Sequence, residues 1–367
     1  MVDFRLTPAL ERLAEHAREV GTKAAAGRTH KEQSWITGFD REFSEELGRL
    51  GWLGMTWPVE LGGGGRSPLE RFLVTEALIA AGAPIAATWV GDRQIGPTLV
   101  AYGNDEQKRR YLPSMIAGTV TWCIGMSEPD AGSDLAALRT RAIADGERFV
   151  IEGRKIWTSF AADAEHCYLI ARTGSERAGH SGISEFIVDM ESSGVHVSRI
   201  VDSTGEAHFC EVEFDGVRVP RANLVGTLDN SWSQLMRQLE HERAGIDRLM
   251  SNWELLQETK AMADTSDPLI RDELARLECG YRIGRLLVIR EVLGQAPRSF
   301  SAATKAFCTE HEQRVAQFIG RVAGADTMMA NRVARSVIYA PAYTIQGGTS
   351  TILRNVIAER VLGLPKG

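Results

Sequence analysis

The stretch CEVEFDGVRVP, residues 210–220, alternates strictly, with Cys210, Val212 and Phe214 interleaved by Glu211 and Glu213 ahead of Asp215-Gly216. A period of two sends successive side chains to opposite faces of a strand, and Asp-Gly signals a turn after it. The same period and the same Gly and Asp punctuation recur in RFVIEG, KIWTS, CYLIART, SEFIVDM and HFCEVEF. Residues 119–227 therefore read as a small antiparallel, β-barrel-like domain.

On either side the period is helical. In residues 1–118, FSEELGRLGWLG ends in helix-stopping glycines, and NDEQKRRYLPSMIAG opens with Asn104 and Gln107 at capping-box spacing. Pro113 is expected to end or kink that helix. The run FLVTEALIAAGAPIAATWVG (72–91) holds Glu76, Gly82 and Pro84, which suits a buried helix with a turn and not a membrane span. Long helical patterns return over residues 228–367. The order α, β, α gives an α+β fold: an N-terminal helical domain (1–118), a middle β domain (119–227) and a C-terminal helical bundle (228–367).

Composition narrows the function classes. Lys+Arg number 42 against 48 Asp+Glu, a net charge of −6, which leaves no electrostatic footprint for nucleic acid or an anionic membrane. The five cysteines are scattered without a CxxC pair or clustered histidines, so neither a metal site nor a disulfide framework is signalled. Reduced thiols and an amphipathic N-terminus without an apolar signal core fit a cytoplasmic protein. The glycine run at 62–65 reads as a tight surface loop, because no helix opens after it at phosphate-loop spacing.

Three motifs carry chemistry. WCIGMSEPDAGSDLAALRT (122–140) closely resembles the signature of the acyl-CoA dehydrogenases, and KIWTS (155–159) resembles that family's flavin-facing strand. With the closing GGTSTILRNVIAERVLGLP, the resemblance runs through all three regions. It implies FAD as cofactor, with Met126, Ser127, Gly132, Ser133, Trp157, Thr158, Ser159 and Thr349 binding it. Ser133 is also implied to reach the thioester arm of an acyl-CoA substrate, and Trp157 to pack on the isoalloxazine ring. By their chemistry alone these strings read as a polar loop and a strand end with a core or interface tryptophan.

Removing the α-proton of an acyl thioester needs a carboxylate. In the family this is often a glutamate just before the Gly-Thr of the last motif, where Gly347 stands here. The segment SWSQLMRQLEHERAGIDRLM offers another. Its apolar residues Trp232, Leu235, Leu239, Ile246 and Leu249 trace one helical face, and the position missing from that stripe holds Glu242. An acid in an apolar stripe is expected to be paired, with Arg243 or Arg248 as candidates, or functional. The resemblance favours function: in the isovaleryl-type and long-chain-type branches the base sits on this helix just before an arginine, as in Glu242-Arg243. Burial is then expected to raise its pKa to about 6 to 7. By the same resemblance Arg243 binds substrate, and the Gly347 amide serves the thioester oxyanion, although Gly-Gly-Thr-Ser is also a plain helix entry.

The segments with which homotetrameric members grip the ADP half of FAD are absent; ADTSDPLIRDELARL, with Arg271, and FIGRVAGADTMMANR stand in their places. That departure resembles the branch acting on bulky substrates, including steroid side-chain CoA esters, where some enzymes assemble from two related subunits. The resemblance thus implies α,β-dehydrogenation of an acyl-CoA in fatty-acid or steroid side-chain β-oxidation, a homo- or hetero-oligomer, and an electron-transfer flavoprotein as acceptor. The alternatives are a flavin oxidase or monooxygenase on the same scaffold and a non-catalytic subunit.

Overall fold

The computed structural model describes residues 6–174, 179–243, 245–297 and 299–365, without the side chains of His241 and Glu242. The first helical stretch comprises α1 (Pro8–Ala25), α2 (Ser34–Thr37), α3 (Arg41–Arg49), α4 (Pro68–Ala80), α5 (Ala86–Val90), α6 (Gly96–Tyr102) and α7 (Asp105–Ala117). Eight strands follow: β1 (Trp122–Gly125), β2 (Arg141–Asp145), β3 (Arg148–Ser159), β4 (His166–Arg172), β5 (Ile183–Asp189), β6 (Val195–Ile200), β7 (Phe209–Pro220) and β8 (Leu224–Val225). The last stretch holds α8 (Trp232–Arg243), α9 (Asp247–Met250), α10 (Trp253–Met262), α11 (Pro268–Val292), α12 (Ser301–Ala323), α13 (Arg332–Tyr343) and α14 (Ser350–Val356). The α, β, α order of the α+β fold is thus present. By packing, the chain divides into two compact units, one of residues 40–65 and 86–241, the other of 1–39, 66–85 and 242–367.

In the first unit the sheet order is β6-β7-β3-β2-β4-β5-β8, with β1 pairing parallel to β4. The pairing is otherwise antiparallel except for the single parallel contact of Arg141 with Arg172. Strand β4 is apolar from Cys167 to Ala171 apart from the Tyr168 hydroxyl, as a strand covered on both faces requires. Cys167, Leu169 and Ala171 join one core with Phe149, Phe186 and Val212, while Tyr168 and Ile170 join another with Leu99 of α6, Tyr111 and Met115 of α7 and Leu235 of α8.

Two local expectations are corrected. Asp215-Gly216 is not a turn: β7 runs through it, and Ile151↔Val217 followed by Gly153↔Phe214 shows one extra residue on β7, a bulge that Gly216 accommodates at φ 63°. Nor does Pro113 end its helix, since α7 continues to Ala117 behind the Asn104/Gln107 capping box. Pro113 is exposed, so water can satisfy the one carbonyl that loses its donor.

The second unit packs around α12. Its buried face presents Cys308, Val315, Phe318 and Ile319, and also Lys305 and Glu312. Gly284 lets α11 approach: a Cβ there would lie 2.7 Å from Leu249 Cδ1 and 3.3 Å from Cys308 Sγ. Glu312 Oε2 accepts the Asn252 backbone N–H at 3.0 Å and its side-chain amide at 2.9 Å. That amide and Gln33 Nε2 both donate to Tyr343 Oη, at 3.0 and 2.9 Å. Elsewhere Arg332 of α13 ties Glu32 to Glu254 and Glu258 of α10.

Burial pushes the Glu312 carboxyl up from 4.5 to about 8, so the folded state holds its proton across a range where the unfolded chain has lost it. The linkage sign follows: the folded state binds more protons between pH 4.5 and 8, so this group's contribution weakens as pH rises through that window. Glu312→Gln should therefore show a shallower loss of stability than the parent between those limits. Urea midpoints at pH 5 and pH 8 measure it, and parallel slopes would contradict it.

Candidate active site

Strand β3 alternates inward at Phe149 and Ile151, and the same phase brings Lys155 inside, fully buried. Its ammonium donates to Glu128 Oε1 at 2.8 Å and to the Met126 carbonyl at 3.0 Å. The Glu128 carboxylate accepts the backbone N–H of Arg139 at 2.7 Å and of Thr140 at 2.9 Å. One ion pair thus ties both ends of the 126–140 loop to the strand, and the Ile156 N–H adds a 2.9 Å bond to the Ser127 carbonyl. Burial pulls the Lys155 pKa below its usual range, partly offset by Glu128. Burial acts on Glu128 in the opposite sense, but Lys155 and the two amides outweigh it and hold the carboxyl below the usual range.

Beyond Lys155 the strand bulges. Lys155↔Val212 is followed by Thr158↔Cys210, leaving one extra residue on β3. Trp157 takes a left-handed φ of 61° and is 55% exposed, its ring edge-on to Phe209 at 5.8 Å. Such a conformation costs a non-glycine residue roughly 1–3 kcal/mol and persists only where neighbours enforce it. Thr158 turns back inside with Oγ1 buried and without a hydrogen-bond partner, while Ser159 is half-buried. Met126 and Ser127 are half-buried beside this bulge; Gly132 and Ser133 lie exposed farther along the loop, and a Cβ at 132 would meet nothing within 4 Å. An exposed indole flanked by the half-buried Met126, Ser127 and Ser159 suits a planar heteroaromatic with a hydrogen-bonding edge, so these residues fit a flavin.

In the second unit, Arg243 Nε lies 3.4 Å from the Gly347 carbonyl, the only candidate pair that unit is seen to join among its described residues. The side chain of Glu242 lies outside the described residues. In α8 the buried neighbours Leu235, Gln238 and Leu239 precede it by seven, four and three positions. The helix ends at Arg243 and α9 starts only at Asp247, so Ile246 and Leu249 are buried beyond α8 and do not extend its stripe. Arg248 sits over the Trp35 ring at 5.0 Å with Asp247 Oδ2 3.4 Å from its Nε. Thr349 caps α14, its Oγ1 accepting the Ile352 N–H at 3.2 Å. Arg271 donates to the Thr265 carbonyl at 3.1 Å on the exposed start of α11.

Sequence reasoning missed Lys155, Glu128 and Lys305. The signal was present for both lysines: Lys155 is in phase with Phe149 and Ile151, and Lys305 lies between Ser301 and Cys308 on the buried face of α12.

Three family models match in order: acyl-CoA dehydrogenase N-terminal domain over residues 7–119, middle domain over 123–217 and C-terminal domain over 230–362. The chain is 36% identical over 342 residues to the acyl-CoA dehydrogenase IpdE1 of Mycobacterium tuberculosis (strain ATCC 25618 / H37Rv), covering 89% of this chain and 88% of that protein. Among solved structures, a chain of the Tcur3481-Tcur3483 steroid ACAD superposes with a TM-score of 0.90 at 32% identity, over 100% of both chains. A chain of the ChsE4-ChsE5 complex from Mycobacterium tuberculosis gives 0.88 at 29% identity, again over 100% of both.

If the buried pair organises the 126–140 loop, Lys155→Met leaves an uncompensated carboxylate and should cost about 3–5 kcal/mol. Adding Glu128→Met should recover much of that. Denaturant unfolding of the two single variants and the double variant measures the coupling, and additive losses would refute it.

Proposed function

Because the chain belongs to the acyl-CoA dehydrogenase family, we propose that it introduces an α,β double bond into an acyl-CoA thioester with FAD as cofactor and Glu242 as base. The observation that carries the cofactor reading is the Trp157 bulge, with its exposed indole beside the half-buried Met126, Ser127 and Ser159. Met126, Ser127, Trp157, Thr158 and Ser159 would hold the flavin, with Gly132, Ser133 and Thr349 as further contacts. The chemistry FAD supplies when bound is acceptance of the β-hydrogen with its electron pair. Glu242 would take the α-proton at its carboxylate, Arg243 and Ser133 would orient the substrate, and the Gly347 N–H would donate to the thioester oxygen as charge builds there. Trp157 would exclude water from the flavin face.

The substrate is proposed to be a bulky, ring-bearing acyl-CoA. A glycine at 347 leaves space where a glutamate side chain stands in other members, and a structural relative is titled a steroid ACAD. The missing ADP-gripping segments, together with relatives solved as two-protein assemblies, support a hetero-oligomer in which the partner chain completes the FAD site. A three-domain division at 118 and 227, a cytoplasmic setting and an electron-transfer flavoprotein as acceptor complete the reading. No described helix is long and apolar enough to cross a membrane.

Anaerobic mixing of the FAD-loaded assembly with short, long, branched and steroid acyl-CoAs should bleach the flavin most rapidly with the bulky thioesters. Oxygen-dependent product without anaerobic bleaching would point instead to an oxidase or monooxygenase. Glu242→Gln should slow bleaching by about 10²–10⁴-fold, the usual worth of a general base. Unchanged turnover in the assembled Glu242→Gln complex would make this chain a non-catalytic subunit. Stoichiometric, tightly held FAD in the chain purified alone would overturn the partner-completed site.

A further inference from the structure

Between α13 and α14 the backbone makes a turn that only glycines enter freely: Gly347 has φ 65° and Gly348 φ 94°. The turn is closed by the Ser350 N–H bonding the Thr344 carbonyl at 2.9 Å, and the Thr349 side chain is spent on capping α14. Two cations hold its carbonyls. Arg243 Nε approaches the Gly347 oxygen at 3.4 Å, and Lys305 Nζ donates to the Gly348 oxygen at 2.8 Å while reaching the Tyr343 oxygen at 3.5 Å.

Lys305 is fully buried on α12. Taking an ammonium out of water is costly, and a methionine of similar length would fill the same space without that cost. What the ammonium adds is a fixed position and a polarised backbone. The Gly347 carbonyl shares its peptide group with the Gly348 N–H, and the Gly348 carbonyl shares its own with the Thr349 N–H. A cation on each oxygen draws charge through the amide and makes the attached N–H a stronger donor. Among the described residues, the N–H groups of Gly347, Gly348 and Thr349 have no acceptor. Three consecutive uncommitted donors, two of them backed by cations, suit an oxygen that gains negative charge during a reaction.

We propose that Lys305 is a positioning residue: by gripping the Tyr343 and Gly348 carbonyls it fixes the turn that presents the Gly347 N–H to the substrate's thioester oxygen, and it strengthens the Thr349 N–H two residues on. This rests on the acyl-CoA dehydrogenase reading above. In that chemistry the thioester oxygen carries the charge once the α-proton has left, so Lys305 acts on the proton-removal step and not on ground-state binding.

The test separates those two quantities. The probe is a 3-thiaacyl-CoA, which has an α-proton but no β-carbon hydrogen to lose, incubated with the FAD-loaded assembly in deuterium oxide; washout of its α-proton is followed by NMR and its Kd by titration. Lys305→Met should slow washout by about tenfold or more, below the 10²–10³ typical of deleting a direct donor, with Kd changed less than about twofold. Lys305→Gln keeps a neutral donor and serves as the second variant should Lys305→Met melt early; it should lie between parent and Met. A folded Met or Gln variant with parental washout overturns the proposal, as does one in which washout and affinity fall together. If the unaltered assembly exchanges no α-proton at all, the dehydrogenase reading itself fails, an outcome distinct from a variant that matches its parent.

Discussion

The bond between Lys155 and Glu128 organises the candidate flavin-binding half of the molecule. At 2.8 Å and almost wholly out of water, it is an arrangement that breaks even only when every remaining donor and acceptor is used. Most are used here: the ammonium also takes the Met126 carbonyl, and the carboxylate also takes the Arg139 and Thr140 amides. The loop packs Ala131, Leu135 and Leu138 into the core, and this charge cluster and the Ile156 to Ser127 backbone bond tie its two ends to the strand. Two residues along the same strand, the bulge at Trp157 re-aims an aromatic ring to the outside and returns Thr158 to the inside.

The second unit uses a related device. Lys305 and Arg243 reach backbone carbonyls at a turn whose glycines contribute no side chains to hold it. In both units, then, a long cationic side chain reaching from a regular element ties down an irregular segment. The reach of lysine, four methylenes ending in three donors, lets a strand or helix stabilise a loop that it does not adjoin in sequence.

Two buried acids show the other way to keep a carboxyl inside. Glu185 accepts the Tyr168 O–H at 2.8 Å and the Gln234 amide, and Glu312 accepts Asn252; neither has a cation partner among the described residues, and burial raises both to about 8. At neutral pH each is held largely as the protonated acid, which avoids the charge-burial cost and leaves a directional hydrogen-bond network linking β4, β5 and α8 in one case and α10, α12 and α13 in the other.

The sequence alone determined the α, β, α order, because period two and period 3.6 are written in the spacing of apolar residues, and it located the Asn104/Gln107 capping box and the Thr349 helix entry, because those bonds span three residues. It also placed the loop and strand that carry the proposed flavin contacts. It misread Asp215-Gly216, since a bulge and a turn share a local signature and only the partner strand's register tells them apart, and it carried the apolar stripe of α8 on to Ile246 and Leu249, because helical spacing persists across a break between two helices. What the tertiary structure decided was where the buried charges go. A lysine's phase on β3 or α12 says that it faces inward, but whether it meets a carboxylate 27 residues away or a carbonyl 43 residues away depends on contacts that no local window contains.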